Sequence, residues 1–192
     1  MQRSNRRIFL QTVSTVAFQR GGLPQTPAPQ LPKHRDSGAI SVHEKFIRRA
    51  IELAASARKN GNHPFGALLV DENGQVMITA ENTTLTKHDA TRHAELNLVQ
   101  LASEAFSSAA LSKATLYTST EPCLMCCGAI HWARIPSVVF GCSAKRLASI
   151  VRSDDFLFAC REIFMRTKQP SVVVIGPVLE TEAVVVHRGF WK

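Results

Sequence analysis

The sequence contains no run that approaches the roughly 18 uninterrupted apolar residues that a membrane-spanning helix needs. Apolar residues nevertheless make up 45% of its 192 residues and charged residues 20%, which excludes a disordered polar chain and a collagen-like one. Compact domains commonly contain about 100–200 residues, so the length suits one domain plus a tail. The composition therefore predicts a soluble globular protein with no segment in a membrane.

Acidic residues are absent from the first 35 residues, which carry six lysines and arginines and a formal charge of +6. Residues 36–192 hold the other 17 basic groups against all 15 acids, which gives a formal charge of only +2. The part of the chain that can fold is therefore nearly neutral. A nucleic-acid partner, which the total charge of +8 suggests by itself, is not expected.

The leader, residues 1–37, differs in composition from the rest of the chain. Four prolines between positions 24 and 32 exclude a helix or a central strand there, so this stretch is predicted to be a linker. Arg6 and Arg7, followed by Ile-Phe-Leu and a modest apolar stretch, resemble a bacterial twin-arginine export signal. A mitochondrial-type presequence and a plain disordered extension are the alternatives. Residues 38–192 form the predicted domain, in the cytoplasm or, if the signal is used, in the periplasm.

Cysteine occurs five times, an odd number in a chain too large to need disulfide staples, which argues against a disulfide framework. Three of the five lie in the segment Cys123-Leu-Met-Cys126-Cys127, a spacing typical of a metal or redox site. Cys127 directly follows Cys126 and so faces elsewhere on a helix. We expect it to be a buried apolar residue, like Cys142 and Cys160.

Hydrophobic periodicity and turn residues predict helices that alternate with strands. A capping box at Ser41–Glu44 precedes a helix over about 42–59, and Asn73-Gly74 is predicted to be the turn of a hairpin. Further helices are expected to begin near His93 and Cys123. The predicted strands cover 67–70, 75–80, 114–118, 137–140 and 172–175. This order predicts an α/β fold of three layers, α/β/α, in which helices cover both faces of a mixed five-stranded sheet with parallel pairing in its second half.

Two motifs with chemically active side chains, His93-Ala-Glu95 and Glu121-Pro-Cys123-Leu-Met-Cys126, each lie where a loop turns into a helix. Cys123 and Cys126 are three apart on one helical face, so a positive helix N-terminus can hold two thiolates at one spot. With His93 as the third ligand, the simplest metal is zinc, and its fourth position is left for water. An open position indicates catalysis, because zinc lowers the pKa of bound water to around 7.

Glu95 is too near the predicted metal to be idle, yet it is not needed as a ligand. It is predicted to carry protons between the water and a substrate nitrogen. Hydrolysis at an amidine-like ring carbon needs this combination, because the amino group must be protonated before it leaves as ammonia.

His-Ala-Glu followed by Pro-Cys-x-x-Cys resembles the signature of the zinc-dependent cytidine-deaminase-like superfamily. The resemblance covers about residues 42–190 and is closest to bacterial guanine deaminases and to adenosine deaminases that act on transfer RNA. It implies Zn2+ on His93, Cys123 and Cys126, proton transfer by Glu95, and a homodimer. The implied substrate is a free nucleobase or nucleoside, with guanine first. Deamination of adenosine in transfer RNA and a non-catalytic zinc scaffold are the alternatives.

The same resemblance implies the substrate contacts. Asn82 matches an asparagine that contacts the base in both groups of deaminases, although it can also merely cap a loop. The segment after His63 resembles one that lines the family's pocket. The full implied substrate-binding set is Phe65, Gly66, Ala67, Asn82, His93, Ala94, Glu121 and Pro122.

Two further pairs of residues each have two possible interpretations. Asp154 or Asp155 corresponds to a proton-handling aspartate of guanine deaminases, or is a helix cap. Phe190 and Trp191 either close the pocket as a lid, as a C-terminal aromatic residue does in guanine deaminases, or cover a hydrophobic seam. Five further histidines are predicted to have surface or packing roles: His43, His63, His88, His131 and His187.

Overall fold

The computed structural model of the protein describes residues 37–152, 158–167 and 172–191. The predictions for the leader up to residue 36, and for Asp154 and Asp155, lie outside these residues. Within the three described ranges, no helix is both long and apolar enough to cross a membrane.

A mixed five-stranded sheet is the centre of the fold, with the strand order β2-β1-β3-β4-β5. Strand β1 pairs antiparallel with β2 and β3, whereas β3 with β4 and β4 with β5 are parallel pairs. The predicted mixed sheet with a parallel second half is confirmed. The strands are β1 (Gly66–Val70), β2 (Val76–Glu81), β3 (Thr115–Thr120), β4 (Ser137–Cys142) and β5 (Val173–Ile175).

Helices cover both faces of this sheet, so the predicted three-layer α/β/α architecture is confirmed. On one face, Phe46 and Ile47 of α1 pack against Leu68 and Val139. On the other face, Leu98 and Ile130, from α3 and α5, belong to a larger apolar cluster that also contains Cys127 and Cys160. The helices are α1 (Ser37–Lys59), α2 (Thr84–Lys87), α3 (Ala94–Ala105), α4 (Ser108–Leu111), α5 (Leu124–Trp132), α6 (Ala144–Val151), α7 (Cys160–Met165) and α8 (Glu180–Ala183), and a 3-10 helix follows at Val184–His187.

Strand β1 can approach α1 closely because it begins with a glycine. A Cβ atom at Gly66 would collide with Leu53 and with the backbone of α1. The backbone N–H of Gly66 donates to Ser119 Oγ at 3.2 Å. Gly66 therefore sets the distance between α1 and the sheet.

Several element boundaries differ from the sequence predictions, and short helices such as α2 were not predicted. Helix α1 begins at Ser37, so the predicted capping box at Ser41 lies inside the helix. No proline follows position 32 in this stretch, and the helix can therefore extend past the predicted cap. The polar loop after Asn82 contains the single turn α2, which has too few residues to show a periodicity. Strands β3 and β4 each run two residues further than predicted, which brings Thr120 into the sheet.

Candidate metal centre and substrate pocket

The three predicted metal ligands, His93, Cys123 and Cys126, come together in the structure. Nδ1 of His93 lies 3.7 Å from Cys123 Sγ and 3.6 Å from Cys126 Sγ, and the two sulfur atoms are 3.6 Å apart. Tetrahedral zinc with bonds of about 2.0–2.3 Å places its ligand atoms about 3.5–3.8 Å from one another. The donor set and its spacing therefore fit a zinc ion with three protein ligands.

Two helix N-termini position these ligands. His93 is the N-cap residue of α3 and Cys123 is the N-cap residue of α5, and neither side chain makes a capping hydrogen bond. Cys126 follows within the first turn of α5, on the same side as Cys123. The positive ends of both helices favour thiolates at this point.

The pKa values of the two thiols move in opposite directions. A hydrogen bond with Cys126 and a weaker contribution from His93 outweigh desolvation and lower the pKa of Cys123 to about 4. The hydrogen bond with Cys123, together with burial, raises the pKa of Cys126. One negative charge is thus favoured on the sulfur pair, and a second thiolate requires a cation, which a divalent metal supplies.

Glu95 lies directly beside the ligands and is almost fully buried, with 4% of its surface exposed. Thr118 Oγ1 donates to Glu95 Oε1 at 2.6 Å, and Glu95 Oε2 lies 3.6 Å from Cys126 Sγ. Burial raises the pKa of the Glu95 carboxyl above its ordinary value. The side chain is therefore suited to hold a proton and is fixed in orientation by Thr118, which the sequence reasoning missed.

A cavity of about 130 Å³ opens onto this group. Its lining includes His93, Glu95 and Cys123 at the metal centre, together with the predicted pocket residue Phe65. The lining residues that were not predicted are Thr120, at the end of β3, and Leu147, on α6. Two of the predicted metal ligands, His93 and Cys123, and the predicted proton carrier Glu95 thus face one small cavity.

Glu121 also lines the cavity, but its carboxylate is committed elsewhere. Oε2 accepts a hydrogen bond from the backbone N–H of Ala144 at 2.9 Å, and Oε1 accepts one from Cys160 at 2.8 Å. These N–H groups lie at the first residues of α6 and α7. Glu121, predicted to bind substrate, therefore ties two helix N-termini to the end of β3.

Four other residues of the predicted substrate set are packed against elements that surround the site. Ala67 and Ala94 are fully buried in the apolar cluster between the sheet and α3, and Gly66 contacts α1. Pro122 is buried, and its carbonyl lies 3.5 Å from Cys127 Sγ. None of these four predicted pocket residues is part of the cavity lining, because each packs against a neighbouring element instead.

Asn82 is fully buried and uses one end of its amide group. Its Oδ1 accepts hydrogen bonds from the backbone N–H of Thr84 at 3.0 Å and from Thr84 Oγ1 at 2.8 Å. Among the described residues, Asn82 Nδ2 has no hydrogen-bond partner. Asn82 thus caps the loop through Oδ1, and its Nδ2 is a buried donor without a partner among the described residues.

The C-terminal aromatic group, defined as His187, Phe190 and Trp191, packs beside the cavity. The ring of Phe65 lies 5.3 Å from that of His187 and 6.0 Å from that of Trp191, between ring centroids. His187 is fully buried, and its Nε2 is 3.2 Å from Thr120 Oγ1. The sequence reasoning did not assign His187 to this site; the spacing of three large side chains at 187, 190 and 191 was the available signal.

Comparisons with known proteins agree with this geometry. The family model of the cytidine and deoxycytidylate deaminase zinc-binding region matches residues 40–142. A Schizosaccharomyces pombe protein named "Probable cytosine deaminase" is 39% identical over 150 residues, which cover 76% of this chain and 90% of that protein. The guanine deaminase of Bacillus subtilis is 36% identical over 117 residues, which cover 60% and 74% of the two chains. A tRNA-specific adenosine deaminase of Buchnera aphidicola is 31% identical over 147 residues, which cover 77% and 92%.

Solved structures give the same result. A structure from studies of A-to-I editing by tRNA:A34 deaminases superimposes with a TM-score of 0.60 at 30% identity, and covers 74% of this chain and 98% of that one. The guanine deaminase structure from Bacillus subtilis gives a TM-score of 0.52 at 33% identity, with 67% and 78% covered. The chain therefore belongs to the cytidine and deoxycytidylate deaminase family and is a zinc-dependent hydrolytic deaminase.

Proposed function

We propose that the protein removes the amino group of a free nucleobase as ammonia, with His93, Cys123 and Cys126 as zinc ligands and Glu95 as the proton carrier. The observation that carries this proposal is the buried Glu95 carboxyl beside the ligand group, at the floor of a small cavity. Zinc bound there supplies a water molecule of lowered pKa.

Glu95 moves the protons in this proposal. Its raised pKa lets it hold a proton, which it gives to a ring nitrogen of the base while the ring carbon is attacked. The proton given up in this way comes from the attacking water, and the resulting carboxylate then takes the remaining proton of that water from the new C–OH group and gives it to the amino group, which leaves as ammonia. Thr118, by donating to Oε1, holds the carboxyl so that Oε2 stays on the side of the ligands.

The size of the cavity supports a free base as the substrate. Pockets for drug-sized ligands measure about 300–1,000 Å³, whereas this cavity measures about 130 Å³. The free donor of Asn82 suits a carbonyl oxygen or an unprotonated ring nitrogen of a base. Phe190 and Trp191 act as the lid in this proposal, and exclusion of water by them strengthens the hydrogen bonds that select the base.

Two bases are candidates, each supported by a different observation. Guanine is the first, because the segment from Met125 to Ile130 resembles that of guanine deaminases and the Bacillus subtilis guanine deaminase is a relative. Cytosine is the second, because the Schizosaccharomyces pombe relative carries that activity in its name and a one-ring base suits the small cavity. The near-neutral charge of residues 36–192 argues against transfer RNA as the substrate.

Ammonia release from a panel of free bases and nucleosides tests the proposal. The panel contains guanine, adenine, cytosine, their nucleosides, a pterin-like amino-heterocycle and transfer RNA. We expect turnover of a free base and little turnover of the matching nucleoside. Turnover of adenosine in transfer RNA, with none of any free base, would contradict it.

We also propose that the protein forms a homodimer through α5. Leu124, Met125 and Trp132 of this helix expose 47%, 39% and 82% of their surfaces, which is unusual for large apolar side chains on a helix this short. Trp132→Glu should convert a dimer into a monomer in light scattering. A wild-type protein that is monomeric at micromolar concentration would contradict this proposal.

For the leader we propose a role in export, based on Arg6 and Arg7. Replacing both arginines with lysine should retain the protein in the cytoplasm of a bacterial host. Fractionation that does not change with these substitutions would contradict export through the twin arginines.

A further inference from the structure

Arg58, near the end of α1, binds the C-terminal segment of the chain at several points. Its Nη1 donates to the backbone carbonyl of Val186 at 2.8 Å and to that of Arg188 at 2.9 Å. These two carbonyls flank His187. The guanidinium also lies over the ring of Phe190, 5.7 Å from its centroid. One side chain thus attaches residues 186–190 to a helix more than a hundred positions earlier.

The attached segment packs behind two residues of the cavity lining, Phe65 and Thr120, and is not itself part of that lining. His187 contacts Thr120 through its Nε2, and its ring packs on Phe65, and both of these residues line the cavity. Trp191 also packs near Phe65, with its ring 6.0 Å from that of Phe65 and 5.2 Å from that of His63. A displacement of this segment would therefore move side chains that face the substrate space.

Arg58 is used differently from the other arginines of α1. Arg48 forms an ion pair with Glu182 at 3.1 Å, and Arg49 forms one with Glu52 at 2.8 Å. Among the described residues, no carboxylate lies within ion-pair distance of Arg58. Its guanidinium instead donates to neutral backbone carbonyls, and hydrogen bonds from a charged donor are stronger than those between neutral groups.

We propose that Arg58 is a positioning residue, which holds the C-terminal aromatic group against the cavity and so sets the affinity for the base without touching it. The proposal rests on the proposed function, because it assigns the cavity to a nucleobase. A merely structural Arg58 would contribute to stability and leave the Michaelis constant unchanged. A positioning Arg58 contributes to KM more than to kcat, since Glu95 and the metal ligands lie on elements that it does not contact.

The test compares Arg58→Met, Arg58→Lys and the matched control Arg49→Met in the full chain loaded with zinc. Arg49→Met removes a guanidinium from the same helix without affecting the C-terminal segment. The readouts are zinc content, melting temperature, and kcat and KM for the base found in the panel. A second readout is acrylamide quenching of Trp191 fluorescence in a Trp132→Phe background, which leaves Trp191 as the sole tryptophan.

We expect Arg58→Met to raise KM about tenfold, with a smaller change in kcat, and to make Trp191 more accessible to acrylamide. Arg58→Lys should recover part of the affinity, because the ammonium group can still donate to a carbonyl but cannot cover Phe190. Arg49→Met should stay within about twofold of the wild type in both constants.

An unchanged KM in Arg58→Met overturns the proposal, even if its melting temperature falls, because Arg58 would then only attach the segment. If Arg58→Met does not fold, Arg58→Lys decides: a raised KM supports positioning, and a wild-type KM overturns it. If no base of the panel is turned over, the proposed function fails, and the quenching measurement still tests this proposal. Quenching of Trp191 equal to that of the wild type would overturn it in that case.

Discussion

The floor of the cavity and its C-terminal wall are built by different means. The floor consists of side chains at the N-termini of α3 and α5 and at the end of β3, and the elements that carry them pack into the largest apolar cluster. What we call the wall lies behind Phe65 and Thr120 of the lining, and consists of a 3-10 turn and the last residues of the described chain, held by Arg58 and by ring contacts. Helices and strands of the core thus carry the groups for the chemistry, whereas the C-terminal segment is held beside the cavity by Arg58 and by ring contacts.

This difference leads to a division of roles that mutations can test. Changes in the floor should abolish zinc binding or turnover, whereas changes in the wall should act mainly on the affinity for the base.

The largest effect is expected from Cys126→Ser in the floor. A serine hydroxyl is a poor zinc ligand, so zinc content and turnover should both fall to near background. Metal analysis of the purified protein checks this, with Cys127→Ser as the control, because Cys127 lies in the apolar cluster. Full zinc content in Cys126→Ser would remove this cysteine from the ligand set and point to Cys127.

The second largest effect is expected from truncation after Arg188, which removes residues of the wall alone. Loss of Phe190 and Trp191 should raise KM by about tenfold to a hundredfold, since the base is then exposed to water. The melting temperature should fall only slightly. Losses of activity and stability in equal proportion would instead assign Phe190 and Trp191 to the covering of a hydrophobic seam.

Thr118→Val tests how the floor orients its acid. The hydroxyl of Thr118 donates to Glu95 at 2.6 Å, so its loss should lower kcat about tenfold while zinc content stays constant. Thr115→Val, at the other end of the same strand, is the control and should leave kcat and zinc content unchanged. An unchanged kcat in Thr118→Val would show that Glu95 needs no such partner.

His187→Gln is expected to have the smallest effect, which is a change in how stability depends on pH. Burial, with a contribution from Arg58, lowers the pKa of His187 from 6.5 to about 4. Between these values the unfolded chain binds a proton that the folded protein does not, so stability falls as the pH drops from about 6.5 towards 4. At about pH 5 the free energy of unfolding is lower by about 2 kcal/mol for this reason. His187→Gln has no imidazole and should not show this decrease. Parallel melting curves for both proteins between about pH 7.5 and pH 5 would contradict the buried neutral imidazole.

The floor could be predicted from the sequence because its side chains follow local rules. His93, Cys123 and Cys126 lie at helix starts, where spacing along the chain decides which side chains share a face. The place of Glu95 beside them follows from its distance of two residues from His93. Cys127 was correctly placed in the core by the same rule.

The wall and the supporting hydrogen bonds could not be predicted in this way. The contact between Thr120 and His187 joins residues 67 positions apart, and it depends on the length of β3 and the course of the C-terminal segment. The carboxylate of Glu121 accepts hydrogen bonds from helix starts at Ala144 and Cys160 that no local pattern links to it. The family resemblance implied a substrate role for Glu121, which lines the cavity, but could not show that its carboxylate oxygens also join two helix N-termini to the end of β3.

The most direct test of the account is the turnover of Glu95→Gln loaded with zinc, measured as ammonia release beside Glu104→Gln, an exposed position on the same helix. Glutamine is similar in size to glutamate but cannot carry a proton. The account predicts wild-type zinc content, a wild-type fold and a kcat lower by about 10²–10⁴ in Glu95→Gln, with little change in Glu104→Gln. Near-normal turnover in Glu95→Gln would contradict it, because the proton transfer would then have to come from another group.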